Sequence, residues 1–215
     1  MSTSAAHEND AGQLALRAAA RDHGVSIGRD RFFFVRHGRT PGNIGGLYQH
    51  PDIPLATEGF VDADIAAKVL RDHAFDLIYA SDMARAWLTA GRVADLTGRP
   101  VWLRRCLRER YFGDFIGTPS AGLDWRVNPP NGETMHGFIE RTLTGVAELL
   151  ANNGPMPLLV SHGGVLRVLT GALDVALPHE LTTNGLPLAF ERKGKDWSVT
   201  PLMQPAPVEQ KLGAA

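Results

Sequence analysis

The stretch Phe32-Phe33-Phe34-Val35-Arg36-His37-Gly38-Arg39-Thr40 decides the reading of this chain. Phe32 to Val35 is a short apolar run with strand propensity. Such runs belong to strands buried on both faces of a parallel sheet. This one leads directly into a cation, an imidazole and a glycine. In open α/β sheets ligands bind outside the carboxyl ends of the strands, and a residue without a Cβ lets the backbone approach an anion closely. The stretch therefore predicts a phosphate site with His37 as its nucleophile.

On either side of it, helix and strand patterns alternate. Residues 38–56, rich in Gly, Pro and Asn, read as a loop. Thr57 caps a helix bearing Phe60, Ile65, Val69 and Leu70, and Phe75 to Ala80 is a strand. Ser81 or Asp82 caps a helix to about Leu96 that Gly98 stops. Pro100 to Leu103 is a short strand, 107–132 is loop, and Glu133 opens a long helix with Phe138, Ile139, Leu143, Val146, Leu149 and Leu150 on one face. Pro157 to Val160 is a buried strand that delivers Ser161-His162-Gly163-Gly164 to a helix from about Val165. Residues 185–203 read as two edge strands around Lys193-Gly194-Lys195. The alternation predicts an α/β fold, a three-layer α/β/α sandwich with a mostly parallel sheet, as one catalytic domain over 30–203. Residues 1–29 read as an N-terminal extension, disordered over 1–9, helical from about Ala11 to Arg21, and mobile or peripheral. Residues 204–215 read as a frayed tail.

Composition narrows the function. A length of 215 residues with 44% hydrophobic content suits one domain with a substantial core. A net charge of -1 argues against a nucleic-acid partner. No apolar run reaches the length of a membrane span. The first residues carry Glu8 and Asp10 and lack an apolar core, so no secretory leader is expected. Cys106 is alone, which fits a reducing cytoplasm and a small packed hydrophobe rather than a thiol nucleophile. A homodimer is left open.

Phosphoryl transfer without a metal needs a neutral nucleophile, cations for the oxygens and an acid for the leaving group. His37 supplies the first. Arg36 and Arg85 are candidate phosphate clamps, and His162 and Gly163 lie at a second strand-to-helix turn that suits an anion. Thr40 and Asn43 offer neutral donors, and Glu109 is the candidate acid and base. Taken singly, each has a plainer reading: a packed histidine, a solvated arginine, a surface carboxylate. Two His-Gly turns at strand ends, with arginines and a carboxylate between them, are hard to explain as packing. The histidines lack tight ligand spacing such as H-E-x-x-H, so no metal is expected.

Arg36-His37-Gly38 with Thr40 and Asn43 resembles the signature of the histidine phosphatase superfamily, the phosphoglycerate mutase-like proteins. Ser81-Asp82-Met83-Ala84-Arg85-Ala86, Leu107 to Gly113, Asn131-Gly132-Glu133-Thr134 and Val160 to Arg167 resemble its further segments, in the same order, over about residues 31–203. The resemblance implies a phosphohistidine on His37, with Arg36, Arg85 and His162 holding the phosphoryl group and Glu109 as proton donor. It also places Arg110 in the substrate-binding loop. Ile116 and Gly137 depart from the family pattern where acidic residues are frequent. The glycolytic mutases of the family carry a longer basic insert, whereas residues 118–132 are short with Arg126 as their one basic residue. The expectation is therefore a metal-independent phosphomonoesterase acting on a small phosphorylated metabolite, without a cofactor. The alternatives are a mutase primed by 2,3-bisphosphoglycerate and a non-catalytic phospho-ligand binder. Specificity is expected in 44–54 and 110–132, with Tyr48, His50 and Trp125 near the mouth.

Overall fold

Phe32 and Phe34 enter one core, Phe33 and Val35 another, because successive side chains of a strand point to opposite faces. The strand they share is β1, Arg31–Arg36. The computed structural model describes residues 3–121 and 124–205. The expectations for Met1 and Ser2, and for the tail beyond Pro205, fall outside those residues.

Six strands form one sheet: β1, β2 (Leu77–Ala80), β3 (Val101–Leu103), β4 (Pro157–Ser161), β5 (Pro187–Lys193) and β6 (Asp196–Pro201), in the order β3-β2-β4-β1-β5-β6. The pairings β1–β4, β2–β4 and β2–β3 are parallel; β1–β5 and β5–β6 are antiparallel. β5 is therefore interior, between β1 and β6, where the sequence suggested two edge strands. One face carries α3 (Thr57–Arg71) and α4 (Ala84–Thr97), whose Ala66, Ala67, Leu70, Ala90 and Val93 pack with Phe33 and Val35. The other carries α1 (Thr3–Asp22), α5 (Met135–Leu149) and α6 (Gly163–Ala172), packed on Phe32, Phe34 and Leu159. This is the expected three-layer sandwich.

The register is what builds a site. Arg36 pairs with Ser161 across β1 and β4, so His37 and His162 leave adjacent strands at the same level. Ala80 pairs with Val160, which puts Ser81 beside them.

Several boundaries shift for local reasons. The loop after β1 contains a short helix, α2 (Pro41–Gly45), because Pro41 presets the first helical φ and Thr40 accepts from the Asn43 N–H. α3 begins on Ala56, which has no polar side chain, with Thr57 already its first helical residue. α4 also begins without a side-chain cap, since Asp82 is drawn to Arg108 and Ser81 toward His162. Thr134 rather than Glu133 caps α5, while Glu133 pairs with Arg141. Gly98 ends α4 with φ 68, as expected.

The largest correction concerns the N terminus. The helix begins at Thr3, not about Ala11, and it is not peripheral from residue 11 onward. Leu16 and Ala20 are fully buried in the core that also holds Val165 and Leu169. Arg17 donates to Thr170 Oγ1 and to the Val175 carbonyl, each at 2.6 Å. Among the described residues no helix is long and apolar enough to cross a membrane.

Candidate active site

His37 is buried immediately past the end of β1, and its ring is held from both nitrogens. Nδ1 lies 2.8 Å from the Gly38 carbonyl oxygen, which can only accept, so Nδ1 carries the proton. Nε2 keeps its lone pair and accepts from Arg85 Nε at 3.3 Å. Burial, then the charges of Arg85 and Arg36, push the imidazole well below the ordinary histidine range. The ring is therefore neutral at pH 7, with its unprotonated nitrogen against a guanidinium.

His162 lies against it, the ring centroids 5.0 Å apart at 60°. It is fully buried. Its Nε2 sits 2.9 Å from Ser81 Oγ, which itself accepts from the Met83 N–H at 3.2 Å. If the hydroxyl proton goes to Nε2, both Ser81 groups are satisfied and the His162 proton rests on Nδ1. That Nδ1 is buried and lacks a partner among the described residues, as does Arg36 Nε. Burial and the Arg85 charge hold His162 well below the usual range too.

Three segments bring the cations and the acid. Arg36 donates from Nη1 to the Thr182 carbonyl at 2.6 Å. Arg85, in the first turn of α4, is fixed by the His50 carbonyl at 3.2 Å. Burial lowers both guanidiniums to about 10, so both stay charged at neutral pH. Glu109 receives the Gly164 N–H at 2.9 Å and the Arg110 N–H at 3.0 Å. Gly164 is needed there, because a Cβ would overlap the Glu109 carboxylate. The loop bearing Glu109 is pinned by a two-pronged Arg108–Asp82 pair at 2.5 and 2.6 Å and by Arg141, which reaches the Arg105, Cys106 and Arg108 carbonyls.

Arg36, His37, Arg85 and Glu109 line one cleft of about 210 Å³, with Asn43, Arg110 and Gly163 among its other residues, while His162 lies buried behind His37. Thr40 is fully buried and serves α2 instead. Asn43 bonds Thr40 and Asn184. Arg110, 1% exposed, gives four donors to the Glu133, Trp125 and Val127 carbonyls and Asn128 Oδ1, so its first role is to shape the loop. Tyr48 and Trp125 line the cleft as expected, whereas His50 contributes its carbonyl and not its ring. Among the described residues no group of three or more His, Cys, Asp or Glu is placed to hold a metal ion.

Sequence reasoning placed Thr89 in the segment of Arg85 without giving it a role, and it receives the Gly38 N–H at 3.1 Å; it missed Asn184, which donates to the His37 carbonyl at 2.9 Å. It also missed Gln13 and Arg167, both at the cleft. Ser81 and Arg167 lay inside segments already singled out. Asn184 and Gln13 carry no local pattern.

The family model described as histidine phosphatase superfamily (branch 1) matches residues 32–189. The chain is 34% identical to a glucosyl-3-phosphoglycerate phosphatase of Mycolicibacterium vanbaalenii, over 66% of this chain and 73% of that one. It is 32% identical to the adenosylcobalamin/alpha-ribazole phosphatase of Escherichia coli, over 70% of this chain and 81% of that one. The crystal structure of the alpha-ribazole phosphatase from Shigella flexneri superposes with a TM-score of 0.69 at 29% identity, covering 82% of this chain and 96% of that chain. With its site assembled on the matched segment, the chain belongs to the histidine phosphatase superfamily, branch 1, and is a phosphohydrolase of that family.

Proposed function

We propose that this chain is a cytoplasmic phosphomonoesterase that hydrolyses a small phosphorylated metabolite through a phosphohistidine on His37, with no metal or cofactor in the step. The observation that carries the reading is the His37 ring, neutral and buried, with Nδ1 held by Gly38 and Nε2 facing Arg85. Nε2 attacks phosphorus as the ester P–O bond breaks. Arg36, Arg85 and His162 take the three oxygens, and the orphan Arg36 Nε and His162 Nδ1 gain the acceptors they lack. Glu109 gives its proton to the departing alkoxide. It then takes one from the water that attacks the phosphohistidine, releasing phosphate and restoring the imidazole. Asn43 completes the binding of the oxygens, while Thr40, Arg110 and Gly163 shape the loops around them.

Rapid quenching with a labelled phosphoester tests this. The expected adduct is acid-labile and base-stable, absent from His37→Ala, which loses turnover while keeping its fold. Glu109→Gln should lower kcat about 100-fold or more with a smaller effect on phosphate affinity. Near-wild-type turnover by His37→Ala sinks the mechanism. Conversion of 3-phosphoglycerate under 2,3-bisphosphoglycerate, with little phosphate released, would mark a mutase. An ester bound and never cleaved would mark a binder.

A further inference from the structure

The family match begins at residue 32, yet the cleft is lined by a residue far upstream of it, Gln13 on α1. Gln13 Oε1 accepts from Arg167 Nε at 3.1 Å. Arg167, on α6, also gives Nη1 to the Gly163 carbonyl at 3.0 Å. α1 is locked in place to do this. Gly171 lets the helices approach so closely that a Cβ there would come within 2.7 Å of the Arg17 backbone. A Cβ on Gly12 would likewise meet the Trp125 nitrogen at 2.7 Å, so α1 also abuts the segment over the cleft.

Charge shows what this corner is for. The cleft is lined by the guanidiniums of Arg36, Arg85, Arg110 and Arg167 against the single carboxylate of Glu109. A phosphomonoester brings at most two negative charges, so the lining keeps positive charge in excess whether or not Glu109 carries its proton. The excess has a location. A Cβ on Gly163 would lie 3.0 Å from Arg167 Nη1 and 3.4 Å from Arg36 Nε, so the two guanidiniums flank one glycine. A short carbon chain spans that separation.

We infer that Arg167, aimed by Gln13 of the N-terminal helix, is a specificity residue that binds a second anionic group of the substrate, a carboxylate or a second phosphoryl, beside the transferred phosphate. The inference rests on the phosphomonoesterase reading and names its substrate class: short, doubly anionic phosphoesters. A planar, delocalised cation matches both groups in a two-pronged geometry. Burial lowers the Arg167 guanidinium while the Glu109 charge opposes that shift, which fits a cation awaiting an anion.

The test compares 3-phosphoglycerate with glycerol 3-phosphate, which carries a hydroxymethyl in place of the carboxylate, and 1,3-propanediol bisphosphate with its monophosphate. The wild-type chain should favour the more anionic member of at least one pair about tenfold or more in kcat/KM, mainly through KM; the pair that responds identifies the second anion. Arg167→Gln should remove most of that preference. Gln13→Glu, which sets a carboxylate against the guanidinium, should remove it too. Absence of a preference in wild type, or equal losses on both members of each pair, overturns the inference. If p-nitrophenyl phosphate and every other ester go uncleaved, the hydrolytic reading fails instead. The same pairs, ranked by calorimetric Kd on wild type and both variants, then decide the subsite.

Discussion

Ser81 shows how much of the site depends on a single hydroxyl. It receives the Met83 N–H and faces His162 Nε2, and when its hydroxyl donates there the His162 proton rests on Nδ1. A histidine aimed at a phosphoryl oxygen must present N–H there, and the partner of its other nitrogen fixes that. Ser81→Ala should therefore lower kcat about tenfold or more while the fold persists, measured by steady-state kinetics alongside circular dichroism. Unchanged kcat would show that the ring is oriented by packing alone. The same logic explains Gly164, where any side chain would displace the Glu109 carboxylate from its two N–H donors.

At the scale of elements, α1 is the instructive one. Its Ala/Leu/Arg composition indicates a helix, but nothing local says whether a helix docks. The decision belongs to α6, where Gly171 removes the bulk between the two and Thr170 receives Arg17. Leu16 then packs into the shared core with no exposed surface. Leu16→Ala should cost about 2–5 kcal/mol of stability, the range for emptying a buried leucine site, read from urea unfolding. A change under about 0.5 kcal/mol, the scale of surface substitutions, would mean that α1 is detached in solution. The short α2 makes a complementary point: Thr40 and Pro41 are strong start signals, yet a run of Gly and Asn around them reads as loop.

For the whole molecule, the charge state of two buried imidazoles links the site to stability. Burial and the arginine charges depress His37 and His162 well below 6.5. In the unfolded chain both titrate near 6.5. Below that pH the unfolded state binds protons that the native state does not, so stability is fully present above about 6.5 and falls as the pH drops toward the native values. Each histidine contributes a slope of about 1.4 kcal/mol per pH unit. Urea midpoints at pH 7.5, 6.5 and 5.5 should show a loss of about 2 kcal/mol over the last interval, with His37→Gln halving it. A flat profile from 6.5 to 5.5 would mean that the native rings protonate as readily as exposed ones. Added inorganic phosphate should oppose the loss, since an anion in the cleft favours the imidazolium.

By itself the sequence determined the strand-helix alternation, the two apolar strands ending in His-Gly, and the candidates proposed as nucleophile, clamps and acid. Each of those is a short-range signal: a hydrophobic run, a turn residue, a cation beside an imidazole. Only the tertiary structure decided what meets across the sheet. The β1–β4 register puts His37 level with His162, Asn184 and Thr89 arrive from other elements, and α1 closes one wall of the cleft with Gln13. Those contacts join residues 51 to 154 positions apart, and no local propensity encodes a partner at that distance. They arise when buried apolar faces and unsatisfied polar groups of separate elements must be matched in one packed interior.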